Sequence, residues 1–395
     1  MHFSRYKRLL AAVVLFSVAL GPAAACAQQS DGNNEITPES ERALKLGLEW
    51  LHKNQGVEGN WGSNDLGLVG MGALAFLSDG HMPSRGKYGK TVERALNYIL
   101  KNSKPSGLLN IANPQRDMYN HGLATFVLGQ AHGMMQGTKT ANKTSGGKDI
   151  NTVLGKALKL IADTQADDGG WDYQARSQQR GHDLSLVVMQ AKALRSAVDS
   201  GLEIPPEVVK LAIQSVREHY TPEGVSRTAS EAEQRKRGGS FTYGKGGGRG
   251  SIAMAAAGVV CLQEFGQYDD WRIPKNMDRI TAAIVAEKTR PGSGQVPMDA
   301  YTLYYVGQAL YQVGGKDWKR YYPTLRDKVV VSQSLNNKNP TEYGHWNAAS
   351  HVNGRGSGWL YGTSVACFIL AMPNRYLPIL QEGKIESLRA RFDQK

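Results

Sequence analysis

The chain has 395 residues, of which 41% are hydrophobic and 21% charged, and its formal net charge is +12. This composition excludes a disordered chain and is sufficient for a large buried core. The basic residues are spread over amphipathic segments and are not interleaved with aromatic ones, which favours a solvated surface over a nucleic-acid interface.

Residues 1–27 have the pattern of an export signal. Basic residues precede an apolar run from Leu9 to Leu20, and small residues around Cys26 follow it. Cleavage before Gln28 and lipidation of Cys26 both fit, so we expect a periplasmic or secreted protein. No later stretch is apolar over a sufficient length to span a bilayer, so membrane attachment is expected only through Cys26. The other cysteines, Cys261 and Cys367, lie in apolar runs and indicate neither a disulfide framework nor a metal site.

After a flexible leader over residues 28–38, two kinds of predicted helix alternate. One kind mixes Lys, Arg and Glu with apolar residues, whereas the other consists mainly of Ala, Gly, Leu, Val and Met, as expected for an outer and an inner layer. The six predicted pairs are Ala43–Asn54 with Leu66–Leu77, Thr91–Leu100 with Tyr119–Gln130, Val153–Thr164 with Asp183–Val198, Pro205–His219 with Ser251–Phe265, Met277–Ala286 with Asp299–Val313, and Trp318–Gln333 with Tyr361–Ala371. This alternation predicts an all-α domain over residues 39–382, followed by a tail over 383–395.

A long insertion, Tyr220–Gly250, separates the two helices of the fourth pair. It is rich in Gly and basic residues, and we expect its last part, Gly244–Gly250, to be a flexible loop at an entrance. Lys245 and Arg249 stand among glycines just before the inner helix, which leaves anion binding as an alternative. The segment does not fit the phosphate-loop pattern.

A seven-residue motif follows two of the outer helices. Gln55–Trp61 and Gln165–Trp171 both have Gln, Gly and Trp at the first, fifth and seventh positions. Traces of the motif recur at Gly239–Tyr243, where Phe replaces Trp, and at Gly344–Trp346. A motif that recurs between paired helices indicates a repeat protein.

The repeated turn and the alternating helices resemble the squalene cyclase and protein prenyltransferase repeat superfamily. The resemblance covers about residues 40–380 and implies an α6/α6 toroid, in which six helix pairs close into a double-walled ring. The motif is absent from the second and fifth turns.

The catalytic motifs of that superfamily do not match this sequence. The Asp-x-Asp-Asp acid of the triterpene cyclases is absent, and the acidic pair Asp167-Asp168 lies within the repeated turn. The zinc ligands Asp-x-Cys of the prenyltransferases correspond to Asp299-Ala-Tyr301, where Tyr takes the place of Cys. We therefore expect no metal and no cofactor, and the absent motifs favour a binding or scaffolding protein over an enzyme.

The resemblance places the N-terminal ends of the inner helices at one mouth of the ring. Side chains there are candidates for contacting a small apolar molecule, a glycan or a peptide in the central cavity. These candidate ligand-binding residues are Tyr119, His121, His182, Asp183, Asp299, Tyr301, Trp359 and Tyr361.

Three interpretations of these residues remain open. In the first, Asp183 and Asp299 cap their helices and the other residues fill the ring. In the second, the aromatic residues stack on a ligand whose polar end the His and Asp side chains hold. In the third, His182 or His121 acts as a base with Asp183 or Asp299 as an acid, in a divergent terpene cyclase or a carbohydrate-active enzyme.

Overall fold

The computed structural model describes residues 35–136, 148–248, 250–336, 338–349 and 355–381. The predicted export signal, most of the leader and the predicted C-terminal tail lie outside the described residues. Within those ranges no helix is both long and apolar enough to cross a membrane.

The regular secondary structure of the described residues is almost entirely helical, which confirms the all-α prediction. Its thirteen α-helices are α1 (Pro38–Asn54), α2 (Leu66–Ser78), α3 (Gly89–Lys101), α4 (Asp117–Met135), α5 (Ile150–Asp163), α6 (Leu184–Asp199), α7 (Pro206–Glu218), α8 (Glu231–Arg237), α9 (Ile252–Glu264), α10 (Arg272–Ala286), α11 (Ala300–Val313), α12 (Gly315–Ser332) and α13 (Arg355–Ala371). Two short antiparallel strands, β1 (Tyr220–Pro222) and β2 (Gly239–Phe241), pair with each other.

Six helices form a closed inner circle. Helix α2 contacts α4, α4 contacts α6, α6 contacts α9, α9 contacts α11, α11 contacts α13, and α13 returns to α2. The partners α1, α3, α5, α7, α10 and α12 pack around the outside of this circle. All six predicted pairs are thus present, and the order of the contacts gives two concentric layers.

Burial follows the predicted difference between the layers. Every residue of α2 except Leu68 is buried, because neighbouring inner helices, an outer helix and the ring centre surround it. Outer helix α1 instead buries one stripe, including Leu44, Leu48 and Leu51, and exposes charged residues on its other side. A one-sided apolar stripe is typical of a helix that lies between a core and water.

The repeated motif stabilises the junction between one outer helix and the next. The Gln55 side chain donates to Gly59 O at 3.0 Å within its own turn and to Thr91 O at 2.9 Å in α3, the next outer helix. The Trp61 indole N–H donates back to Leu51 O at 2.7 Å in α1. The same bonds recur twice: from Gln165 to Gly169 O and Val208 O with Trp171 to Ile161 O, and from Gln333 to Gly344 O and Ala43 O with Trp346 to Val329 O.

The second turn keeps the shape of the motif although its sequence lacks Gln and Trp. Gly107 has a φ of +92°, and a Cβ there would lie 2.5 Å from Lys156 O in the next outer helix. Gly59 has the same relation to Arg94 O, so Gly107 is its equivalent. Leu109 takes the position of Trp, and its backbone N–H donates to His121 Nδ1 at 3.0 Å.

Regular structure precedes the expected flexible loop Gly244–Gly250 in the insertion Tyr220–Gly250. The insertion contains β1, α8 and β2, and Ser230 begins α8 with a capping box that includes Glu233. Lys245, in the Gly-rich part, contacts Asp168 Oδ2 at 2.8 Å and Glu218 Oε2 at 3.1 Å. Two carboxylates therefore already hold the Lys245 ammonium group, which does not favour anion binding there; Arg249 lies outside the described residues.

Candidate functional site

The N-terminal parts of five inner helices surround a cavity of about 600 Å³. Residues in the first two turns of α2, α4, α6, α11 and α13, or directly before them, line this mouth cavity, together with Tyr243 from the segment after β2. Five of the lining residues are tyrosines: Tyr119, Tyr173, Tyr243, Tyr301 and Tyr361. The predicted ligand-binding residues Tyr119, Asp299, Tyr301 and Tyr361 are therefore brought together.

Three aspartates cap inner helices at this mouth, which confirms the capping prediction for two of them. Asp299 accepts from Thr302 N at 3.0 Å and from Thr302 Oγ1 at 2.7 Å. Asp183 accepts from Ser185 N at 3.0 Å, and Asp65, which the sequence analysis missed, accepts from Leu68 N at 3.1 Å. Asp65 and Asp299 line the cavity, whereas Asp183 lies behind Ser185 and Tyr173.

The charge of the cavity comes from few groups. Burial raises the pKa of the Asp65 carboxyl above its ordinary value. Burial also raises the pKa of Tyr173 to about 12 and that of Tyr301 well above its usual value, so both keep their hydroxyl protons at neutral pH. Arg116, half-buried, is the cationic residue among those that line the described cavity.

Asp183 forms a polar cluster with two neighbours at the rim of the cavity. Its Oδ2 accepts from the Tyr173 hydroxyl at 2.8 Å and from His182 Nδ1 at 3.1 Å. The Tyr173 and His182 rings meet edge to face, with centroids 4.7 Å apart. Since 58% of the His182 side chain is exposed, its Nε2 can reach solvent.

His121 and Trp359 do not line the mouth cavity. The His121 ring is completely buried; its Nδ1 accepts from Leu109 N, and its Nε2 donates to Ala157 O at 3.1 Å. Both ring nitrogens are thus occupied by backbone groups, and burial lowers the pKa of His121 to about 4. Trp359 instead packs edge to face against His345, with ring centroids 5.4 Å apart.

The sequence contains a signal for two of the missed residues. Tyr173 and Tyr243 each lie two positions after the aromatic residue of a repeated turn, Trp171 and Phe241 respectively. Met298, in the fifth turn, also lines the cavity. The second residue after the aromatic position of the motif therefore lines the cavity in the third and fourth turns.

A larger groove of about 890 Å³ lies on the outer wall. Side chains of α7 and residues of the insertion line it, and Phe265 and Arg272 contribute from the α9–α10 region. None of these lining residues also lines the mouth cavity. No three His, Cys, Asp or Glu side chains of the described residues are grouped so that they could hold a metal ion.

The sequence matches no protein-family model and no curated protein. Among solved structures, the chain is similar to the apo form of the type II terpene cyclase MstE from Scytonema. The two are 13% identical with a TM-score of 0.28, and the match covers 86% of this chain and 99% of that chain. The ring of helices is established by the helix contacts within this chain and does not depend on this similarity.

Proposed function

We propose that the protein is an exported α/α toroid that binds a small molecule in the mouth cavity and has neither cyclase nor prenyltransferase activity. The observation that supports this function is the convergence of polar and aromatic residues from the N-terminal parts of five inner helices on one cavity of about 600 Å³. A volume of this order is typical of small-molecule sites, which combine apolar walls with a few fixed polar groups.

The chemistry of the cavity supports binding over terpenoid catalysis. The Asp-x-Asp-Asp acid is absent from the sequence, and Asp65 and Asp299 are engaged as helix caps. Cys261 and Cys367 are buried, and burial raises the pKa of both thiols, which disfavours the thiolate that zinc requires. The pattern over residues 1–27 supports export.

A second candidate function is acid–base catalysis by the rim cluster. Asp183 holds His182 Nδ1 and the His182 side chain is exposed, so Nε2 is available to take a proton from a ligand that reaches the rim of the cavity. A carboxylate that fixes the tautomer and orientation of a His is a common arrangement in hydrolases. This arrangement favours an enzyme such as a carbohydrate hydrolase or lyase.

Native mass spectrometry of the full chain tests the binding function. We expect a retained non-covalent ligand, and we expect Tyr301→Ala to reduce its occupancy without unfolding the protein. Tyr343→Ala, at an exposed tyrosine that lines neither this cavity nor the groove on the outer wall, is the matched control. Full ligand occupancy in Tyr301→Ala would show that the ligand binds elsewhere. Turnover of a ligand by the wild-type protein, abolished by His182→Gln, would favour the enzyme.

The export proposal has its own test. Expression of the full sequence in a Gram-negative bacterium, followed by fractionation, should give a mature protein in the periplasm. Its N-terminal residue distinguishes ordinary cleavage before Gln28 from lipidation at Cys26. Uncleaved protein in the cytoplasm would contradict the proposed export.

A further inference from the structure

The mouth cavity differs in charge from the rest of the molecule. The chain as a whole is strongly basic, with a formal net charge of +12. The cavity is lined by two carboxylates, Asp65 and Asp299, against one guanidinium, Arg116. A third carboxylate, Asp183, lies directly behind the lining residues Tyr173 and Ser185. A negative cavity in a basic protein attracts a cation, whereas the positively charged surface around it repels one.

Inner-helix N-termini usually attract anions, but these helix ends are already neutralised. The side chains of Asp65, Asp183 and Asp299 accept backbone N–H groups of α2, α6 and α11. An anionic ligand would have to compete with these carboxylates for the same N–H groups and would be repelled by them. The caps therefore convert positive helix ends into negative ones.

The five tyrosines supply the second half of a cation site. Aromatic rings attract ammonium groups through their quadrupole, and the attraction is larger in a site with little water. The Tyr301 hydroxyl is buried at the cavity and interacts with the Tyr243 hydroxyl, which also lines it. Its oxygen can accept from an ammonium N–H or approach the polarised methyl groups of an alkylated nitrogen.

From the carboxylates and the tyrosines that share this cavity, we infer that its ligand is a small organic cation, an amine or alkylated ammonium ion. This inference rests on the proposed binding function and names its ligand class. The tyrosine rings contact the alkyl groups of the ligand, and the charges of Asp65 and Asp299 stabilise its nitrogen.

Calorimetric titration of the full chain tests the ligand class. The probes are tetramethylammonium, choline and spermidine, with 3,3-dimethylbutan-1-ol as the uncharged isostere of choline and a neutral disaccharide as the competing class. We expect at least one cation to bind, and choline to bind about tenfold or more tightly than its isostere. Asp299→Asn should weaken the cation about tenfold, because Asn still caps α11 but removes the charge.

Asp149→Asn is the matched control for Asp299→Asn. Asp149 caps outer helix α5 with the same pair of bonds, to Thr152 N and Thr152 Oγ1, both at 3.0 Å, and lies outside the cavity. It should leave cation affinity unchanged. If Asp299→Asn does not fold, Asp65→Asn provides the same test at the other lining carboxylate.

The outcomes separate the ligand class from the binding function. Equal binding of choline and its isostere, or binding of the disaccharide alone, would overturn the cation and leave a binding site in place. If no probe binds and the native protein retains no ligand, both the ligand class and the binding function are wrong.

Discussion

The Gln333 side chain donates a hydrogen bond to Ala43 O at 2.9 Å, so the last outer helix is joined directly to the first. The same side chain donates to Gly344 O at 2.8 Å within its own turn. Gln55 and Gln165 make the corresponding bonds between consecutive outer helices, but those partners are less than 50 residues away in sequence. The repeat motif thus joins the last outer helix to the first by the same kind of hydrogen bond that joins consecutive outer helices.

Replacing Gln333 with Leu should destabilise the ring by removing both bonds. The side chain is 3% exposed, so the two carbonyls cannot be fully compensated by water. We expect a loss of about 2 kcal/mol in the free energy of unfolding, measured by chemical denaturation. Gln214→Leu, at an exposed side chain of α7, should change it by less than about 0.5 kcal/mol. Equal stability of the two variants would show that the Gln333 bonds do not contribute.

The glycine of the repeated turn is required by both its conformation and its surroundings. Gly169 has a φ of +79°, and a Cβ there would lie 2.0 Å from Leu211 O. Gly169→Ala should therefore cost about 2 kcal/mol or more, since neither the backbone nor the neighbouring carbonyl can move freely. Thermal unfolding of the purified variant measures this loss.

Gly155 provides the opposite case in the same region of the chain. It lies on the exposed side of α5, and a Cβ there would meet nothing within 4 Å. Gly155→Ala should raise the free energy of unfolding by about 1 kcal/mol, because Ala is a better helix former. A loss of stability in Gly155→Ala would contradict the open space beside α5. Unchanged stability in Gly169→Ala would contradict the close contact with Leu211 O at the turn.

The centre of the ring contains a buried ion pair. Lys192 of α6 is 1% exposed, lies 3.5 Å from Glu264 Oε1 of α9, and also donates to Gln308 of α11. Its ammonium group is 4.2 Å from the centre of the Phe126 ring. Lys192→Met should cost about 3–5 kcal/mol, because the buried Glu264 carboxylate would lose its cation.

The double variant Lys192→Met with Glu264→Gln should recover most of that loss, since neither buried charge remains. Denaturation of the single and double variants gives the coupling between the two residues. Lys159→Met, in an exposed pair with Asp163, is the control and should cost less than about 1 kcal/mol. A double variant as unstable as Lys192→Met would show that packing, rather than charge, causes the loss.

The helix pairs were predictable because their signal is local. The apolar spacing in each outer helix and the small residues of each inner helix are visible within about 15 residues. The strands β1 and β2 were missed because each has three residues and depends on a partner about 20 residues away. The start of α8 has a local signal in the sequence, because Ser230 and Glu233 have the spacing of a capping box.

The site was only partly predictable because ring closure, rather than local pattern, brings its residues together. Asp65 and Tyr361 line one cavity from opposite ends of the chain. Trp359 and Tyr361 are two residues apart on α13, which turns them to different sides of the helix. Sequence placed both at the mouth, but only the packing of α13 shows that Tyr361 faces the cavity and Trp359 faces His345.

Acid should destabilise the protein through its buried histidines. Burial lowers the pKa of His121 to about 4, and burial beside Lys245 lowers that of His219 to about 4 as well. An unfolded His has a pKa of about 6.5, so between these values the unfolded chain binds more protons than the folded one. The free energy of unfolding should therefore fall as the pH drops from about 6.5 to about 4, by about 3 kcal/mol for His121.

His121→Asn separates this titration from the structural role of the ring. The Asn side-chain oxygen can still accept from Leu109 N, but it does not take up a proton in this range. We expect a less stable protein at neutral pH and a smaller decrease in the free energy of unfolding between pH 6.5 and 4, with a further reduction on adding His219→Asn. Denaturation midpoints measured across this range provide the test. Parallel pH profiles for wild type and His121→Asn would show that unfolding does not protonate His121.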